Sequence, residues 1–236
     1  MTWLERISDV HAGSDRLAVA DASGAVTGRE LIGKAVAAAE YLTALDVADG
    51  CAVPALLTTN ADALALLIGG AAANMPLAPL GPRLTVGELA VMVRGSGSDV
   101  LLTEPPFVET AQRVAAATDA RVFALPALPV SRSGLSATAE GVAFYLHTAG
   151  TTGGPKRVAF TQDVLSARTE VLSALIGFGP DHRFATGSPL HHLGGLGNTL
   201  VAVSMGAAVL PTTRSASNGG AACAGSARRI ACWCPR

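Results

Sequence analysis

The stretch that decides the reading of this chain is Val142-Ala143-Phe144-Tyr145-Leu146-His147-Thr148-Ala149-Gly150-Thr151-Thr152-Gly153-Gly154-Pro155-Lys156-Arg157-Val158-Ala159-Phe160. An apolar run at Val142–Leu146 reads as a strand, and Arg157–Phe160 resumes as a second strand. Between them lies a turn with three glycines, three threonines and a terminal lysine. Glycines let backbone N–H groups approach an anion and form a nest. Threonine hydroxyls add donors, and a lysine ammonium supplies a point charge for phosphate. The chemistry of the turn is therefore that of a polyphosphate cradle. It is not the P-loop of nucleotide hydrolases, which needs Gly-Lys-Ser/Thr opening a helix. Here Pro155 precedes the lysine, Arg157 follows it, and a strand follows both. An ordinary hairpin turn is the plain alternative, but a hairpin normally needs only two to five loop residues.

The order of elements around the loop sets the fold class. Thr27-Gly28-Arg29-Glu30 fits a capping box and opens a helix through Leu31, Ala35, Ala38, Ala39 and Leu42. Thr85-Val86-Gly87-Glu88 is a second capping box, for a helix expected to stop near Gly95. Ala52–Leu57 reads as a strand in which Pro54 argues for an edge or a bulge. Ala61–Ala73 reads as a buried helix, because its apolar run is too short for a bilayer span of roughly 20 residues. Val100–Thr103 and Val122–Ala124 read as strands, with a helix near Val108–Ala117 between them. Alternation of this kind implies an α/β fold with mostly parallel sheets. Ser131–Thr138 reads as a connector between two halves. No repeat at a fixed period is present.

Composition bounds the function. The chain has 236 residues, of which 50% are apolar and 15% charged, with a formal net charge of −1. Such a chain has a packed core and offers no global electrostatic footprint for nucleic acid or a membrane surface. Aromatics make up 4%, too few for base-stacking platforms. No stretch reads as a membrane span or a signal peptide, and the four cysteines suit a reducing compartment, so the expected location is the cytoplasm. A metal site is not expected. Cys232 and Cys234 are spaced more tightly than the usual C-x2-C pair, and no His lies near them.

The charges are unevenly placed. Residues 214–236 hold four of the 17 basic residues and none of the 18 acids, which leaves the preceding residues at net −5. Three of the four cysteines also fall there. The sequence therefore divides into 1–213 and an atypical tail, 214–236. The tail is expected to be disordered or read out of frame, since a one-base shift is compatible with the apolar strand pattern that the tail itself lacks.

The loop as a whole, T-A-G-T-T-G-G-P-K-R-V from Thr148, resembles the phosphate loop of the adenylate-forming superfamily. That superfamily includes acyl-CoA synthetases, aryl-CoA ligases and the adenylation domains of peptide synthetases. The resemblance extends to Ala72–Leu80, which is similar to the family's A-G-A-x-x-x-P-L segment, and to Ser188-Pro189-Leu190-His191-His192-Leu193-Gly194-Gly195, similar to P-L-F-H-x-x-G beside the acyl pocket. It covers roughly residues 15–213. His192 matches the family histidine, and His191 stands where an aromatic is usual. Arg157 replaces a usual Gly, and Gln162 a frequent His.

The resemblance implies the N-terminal part of an adenylate-forming domain. It implies ATP with Mg2+ at Thr148, Ala149, Gly150, Thr151, Thr152, Gly153, Gly154 and Lys156. A carboxylic acid of small acyl or aryl type is implied beside His191, His192, Gly194 and Gly195. In the family the acid is activated as an acyl-adenylate and then passed to CoA or a carrier-protein thiol. The family also uses a Mg2+-associated Glu in a Y-G-x-T-E segment, an Asp on the ribose and a distal catalytic Lys. Residues 157–236 offer none of these: there is no Tyr or Lys, and no acid after Asp181. The expectation is a truncated ligase with little or no activity alone and no assigned catalytic residue, or one completed by a separate C-terminal chain. The alternative is a non-catalytic module that binds ATP or a partner.

Overall fold

A computed structural model describes residues 1–48, 51–136, 140–148 and 154–212, with the backbone of 230–232. The elements run α1 (Trp3–His11), β1 (Leu17–Asp21), β2 (Gly24–Thr27), α2 (Gly28–Thr43), β3 (Val53–Leu56), α3 (Ala61–Ala72), β4 (Leu77–Leu80), α4 (Val86–Ser96), β5 (Val100–Thr103), α5 (Val108–Ala115), β6 (Arg121–Ala124), β7 (Val142–Thr148), β8 (Lys156–Thr161), α6 (Gln162–Ile176), β9 (Arg183–Thr186), α7 (Leu193–Ser204), β10 (Ala208–Pro211) and β11 (Ile230–Cys232).

The expected capping boxes start α2 and α4. The Glu30 carboxylate accepts from the Thr27 N–H at 2.7 Å while the Thr27 hydroxyl accepts from the Glu30 N–H. Thr85 and Glu88 repeat the arrangement. Together each pair satisfies two of the orphan donors of a helix start. The same box at Thr2 and Glu5 opens α1. α4 stops at Ser96, near Gly95 as expected, because Gly97 takes the left-handed C-cap conformation, φ +79°.

Two sheets result. One has the order β6-β5-β3-β4-β7-β8, the other β11-β9-β10-β1-β2. All neighbours are parallel except two hairpins, β1 with β2 and β7 with β8. The mostly parallel α/β architecture is thus present. Both ends of the chain contribute to the second sheet. The connector after β6 joins two strands of the same sheet, so it is a crossover and not a boundary between halves. Ser131 donates its N–H to the Gly33 carbonyl at 3.1 Å.

β3 corrects the reading of Pro54. The strand lies between β5 and β4, inside the sheet. The Val53 N–H bonds the Pro76 carbonyl beside β4 at 2.9 Å. Successive backbone groups alternate sides, so the nitrogen of Pro54 faces β5, where the ladder starts only at Ala55 opposite Leu102. The missing donor falls just before that pairing begins.

The first sheet is covered on both faces. Val53, Ala55, Val100 and Leu102 pack into the larger core with α1, α2 and α3, while the alternate residues Leu56 and Leu101 pack against α4 and α5. Two buried faces explain why these strands read as continuous apolar runs. α3 is buried on every side, with only Asp62 and Ala72 outside the core; Asp62 pairs with Lys34 at 2.8 Å. It packs tightly on α2, since a Cβ on Gly69 would stand 2.3 Å from the Ala35 carbonyl oxygen. Among the described residues no helix is long and apolar enough to cross a membrane. On α6, Val164, Val171 and Leu175 are exposed, Leu175 by 76%.

Candidate functional site

The β7–β8 hairpin carries the glycine- and threonine-rich loop. Its ladder ends at Thr148 opposite Lys156, which leaves seven residues in the connection. The loop thus joins strand to strand, as its sequence indicates, and not strand to helix. Ala149, Gly150, Thr151, Thr152 and Gly153 lie outside the described residues. The two stems are anchored from below by stacked Phe144 and Phe160 rings, 4.9 Å apart. The Thr148 hydroxyl donates to the Lys156 carbonyl at 3.4 Å. Gly154 has φ +129°, a conformation that side chains rarely adopt, and a Cβ there would meet nothing within 4 Å. Glycine is required by the turn of the backbone, not by crowding. Lys156 is exposed at the end of the ladder.

Arg157, the residue that departs from the family loop, points its charge elsewhere. It donates to the Ser96 carbonyl at 2.6 Å and lies 4.6 Å from the Tyr145 ring centroid. Burial, and then the Arg157 charge, hold the opposite residue His147 below the usual histidine range.

The second segment leaves β9 and enters α7. Ser188 donates its N–H to the Thr186 hydroxyl, and His192 donates its N–H to the Pro189 carbonyl. Gly195 lets α7 sit directly on this turn: a Cβ there would stand 2.2 Å from the Pro189 oxygen and 2.6 Å from that of Ser188. Gly194 is open, with its nearest neighbour 4.0 Å away. The His191 and His192 rings lie 4.3 Å apart. His191 presses against Gly81, where a Cβ would be 3.2 Å from two ring atoms. Burial, then the charges of His192 and Arg83, push His191 down to about 4.

The topology brings the two segments together. β4 and β7 are adjacent and parallel, with Leu77 opposite Phe144. Leu80 and Thr148 therefore emerge at the same edge of the sheet. Gly81 follows Leu80 and touches His191, which stands at the carboxyl end of β9 in the other sheet. Ligands of open α/β sheets bind in such a crevice outside the carboxyl ends of the strands. Gly81 and Arg83 lie just beyond the Ala72–Leu80 segment that the sequence motif marks. Their signal was a Gly-Pro-Arg turn directly after an apolar strand.

Among the described residues, no group of three or more His, Cys, Asp or Glu side chains could hold a metal ion. The Cys51 thiol donates to the Gly97 carbonyl at 3.0 Å.

The comparisons give the family. The model of the AMP-binding enzyme family matches residues 8–231, and the chain belongs to that family. The match runs into the segment read as an atypical tail. The 2-succinylbenzoate–CoA ligase of Bacillus licheniformis is 26% identical over 212 residues, 88% of this chain and 44% of the relative. The sulfoacetate–CoA ligase of Cupriavidus necator is 30% identical over 190 residues, 74% of this chain and 37% of the relative. The N-terminal domain of FACL13 from Mycobacterium tuberculosis has a similar fold, with a TM-score of 0.78 at 21% identity over 89% of this chain and 57% of that one. The chain spans less than half the length of these curated relatives.

Proposed function

We propose that this chain supplies the ATP- and acid-binding surface of a carboxylic acid-activating ligase, with a cytoplasmic location and CoA or a carrier-protein thiol as the acyl acceptor. The observation that carries the reading is the convergence of the β7–β8 loop stems with His191 at the carboxyl ends of β4, β7 and β9. In the reaction, a carboxylate oxygen attacks the α-phosphorus of ATP, and the bond to pyrophosphate breaks. The thiol then attacks the acyl carbon and AMP leaves. Thr148, the backbone around Gly154 and Lys156 hold the phosphates, with N–H, O–H and ammonium groups donating to anionic oxygens. These donors suit polyphosphate. Mg2+ arriving with ATP would neutralise phosphate charge beside these donors. His191, His192 and the turn held by Gly195 flank the acid.

ATP titration together with ATP–pyrophosphate exchange tests the reading. ATP binding with exchange stimulated by a carboxylic acid supports an activating site. Binding without exchange reduces the chain to a nucleotide-binding module. Absence of both overturns the proposal.

A further inference from the structure

The two histidines lie beside each other, their rings 4.3 Å apart, with His191 against Gly81 at the end of β4, and the Arg83 charge acts on His191. Arg83 follows β4, and His191 and His192 precede α7. Arg83 is exposed and forms no ion pair among the described residues. The His191 Nδ1 atom is buried without a hydrogen-bond partner among them. Buried polar atoms are ordinarily paired, so this nitrogen is suited to a partner that arrives with a ligand. Among the described residues, the charges acting on the ring are those of His192 and Arg83. The absence of a side chain at Gly81 lets the ring lie close to the end of β4.

We propose that Arg83 and His191 form, with His192, an anion-recognising wall that selects carboxylic acids bearing a second anionic group. This rests on the acid-binding role proposed above for the same crevice. A bare alkyl tail would strip water from these polar groups and return nothing. A carboxylate or sulfonate accepts charge-assisted bonds from the guanidinium and the imidazole.

The test uses the full chain and two four-carbon acids, succinate and butyrate, titrated by calorimetry. Succinate is expected to bind about tenfold more tightly, the equivalent of one charge-assisted bond. Arg83→Gln and His191→Phe should each remove most of that preference and leave ATP affinity within about twofold. Unchanged melting temperatures verify that both variants fold. Equal affinity for the two acids, or a preference that survives both substitutions, overturns the assignment. So does displacement of succinate by pyrophosphate, which would make the wall part of the phosphate site. ATP titration of the same proteins separates the two failures: lost ATP binding in the parent strikes the proposed function, while a missing succinate preference strikes this wall.

Discussion

Replacing Gly195 with alanine puts a Cβ 2.2 Å from the Pro189 carbonyl oxygen and 2.6 Å from that of Ser188. Both neighbours are backbone, so no side chain can swing away. The turn that carries His191 and His192 must move off α7 by about 1 Å to reach an ordinary contact distance. Overpacking of this kind costs roughly 1–3 kcal/mol. Alanine regains part of it, up to about 1 kcal/mol, because it favours the helix more than glycine does. The net loss is about 1–2 kcal/mol, which in a chain of this length lowers the Tm by roughly 2–8 °C. Gly194 is the internal control: its nearest neighbour is 4.0 Å away, so Gly194→Ala should leave the Tm unchanged or raise it slightly. Thermal denaturation followed by circular dichroism reads both variants. If the two alanines shift the Tm equally, the close seating of α7 on the Ser188–His192 turn is wrong.

Three further outcomes follow from the packing and the buried histidines. Thr27→Ala removes the side-chain acceptor of the α2 cap and should cost about 1 kcal/mol in urea unfolding, whereas Thr27→Ser should not; equal losses would contradict the cap. Gly69→Ala drives a Cβ to 2.3 Å from the Ala35 carbonyl and should cost about 1–3 kcal/mol, against a gain if α2 and α3 were loosely packed. His11, His147 and His191 are all held below the usual histidine range, mainly by burial. The unfolded chain therefore binds protons near pH 6.5 that the folded chain refuses, and stability present above that pH is lost as pH falls toward 5. Urea midpoints that stay level or rise between pH 7.5 and 5.5 would contradict it.

Much of the fold was legible because local signals agreed with tertiary packing. The Thr27 and Thr85 boxes, the apolar run of α3 after Asp62 and the run Val100–Thr103 each had one reading. Other elements lacked a single period. α6 carries apolar residues on two faces, with Leu165 and Leu172 inward and Val171 and Leu175 outward, so no lone stripe marks it. α7 opens with Gly194, Gly195 and Gly197, which propensity assigns to a loop, yet its later turns are buried almost all round. β11 is three residues long within an Arg- and Cys-rich stretch and is placed by pairing with β9. Pro54 argued for an edge, but a parallel strand needs each N–H only on its own side. The site followed the same division. The loop chemistry at Thr148–Lys156 stands in consecutive residues. Arg83 and His191 are more than a hundred residues apart, and only the contact of His191 with the end of β4 joins them.

The β7–β8 loop is proposed to hold the phosphates of ATP, and calorimetric titration of ATP into the full chain and into Lys156→Ala tests this. Loss of the ammonium should weaken binding by roughly 1–3 kcal/mol, with unchanged Tm because Lys156 is exposed. Equal ATP affinity in the two proteins would contradict the claim.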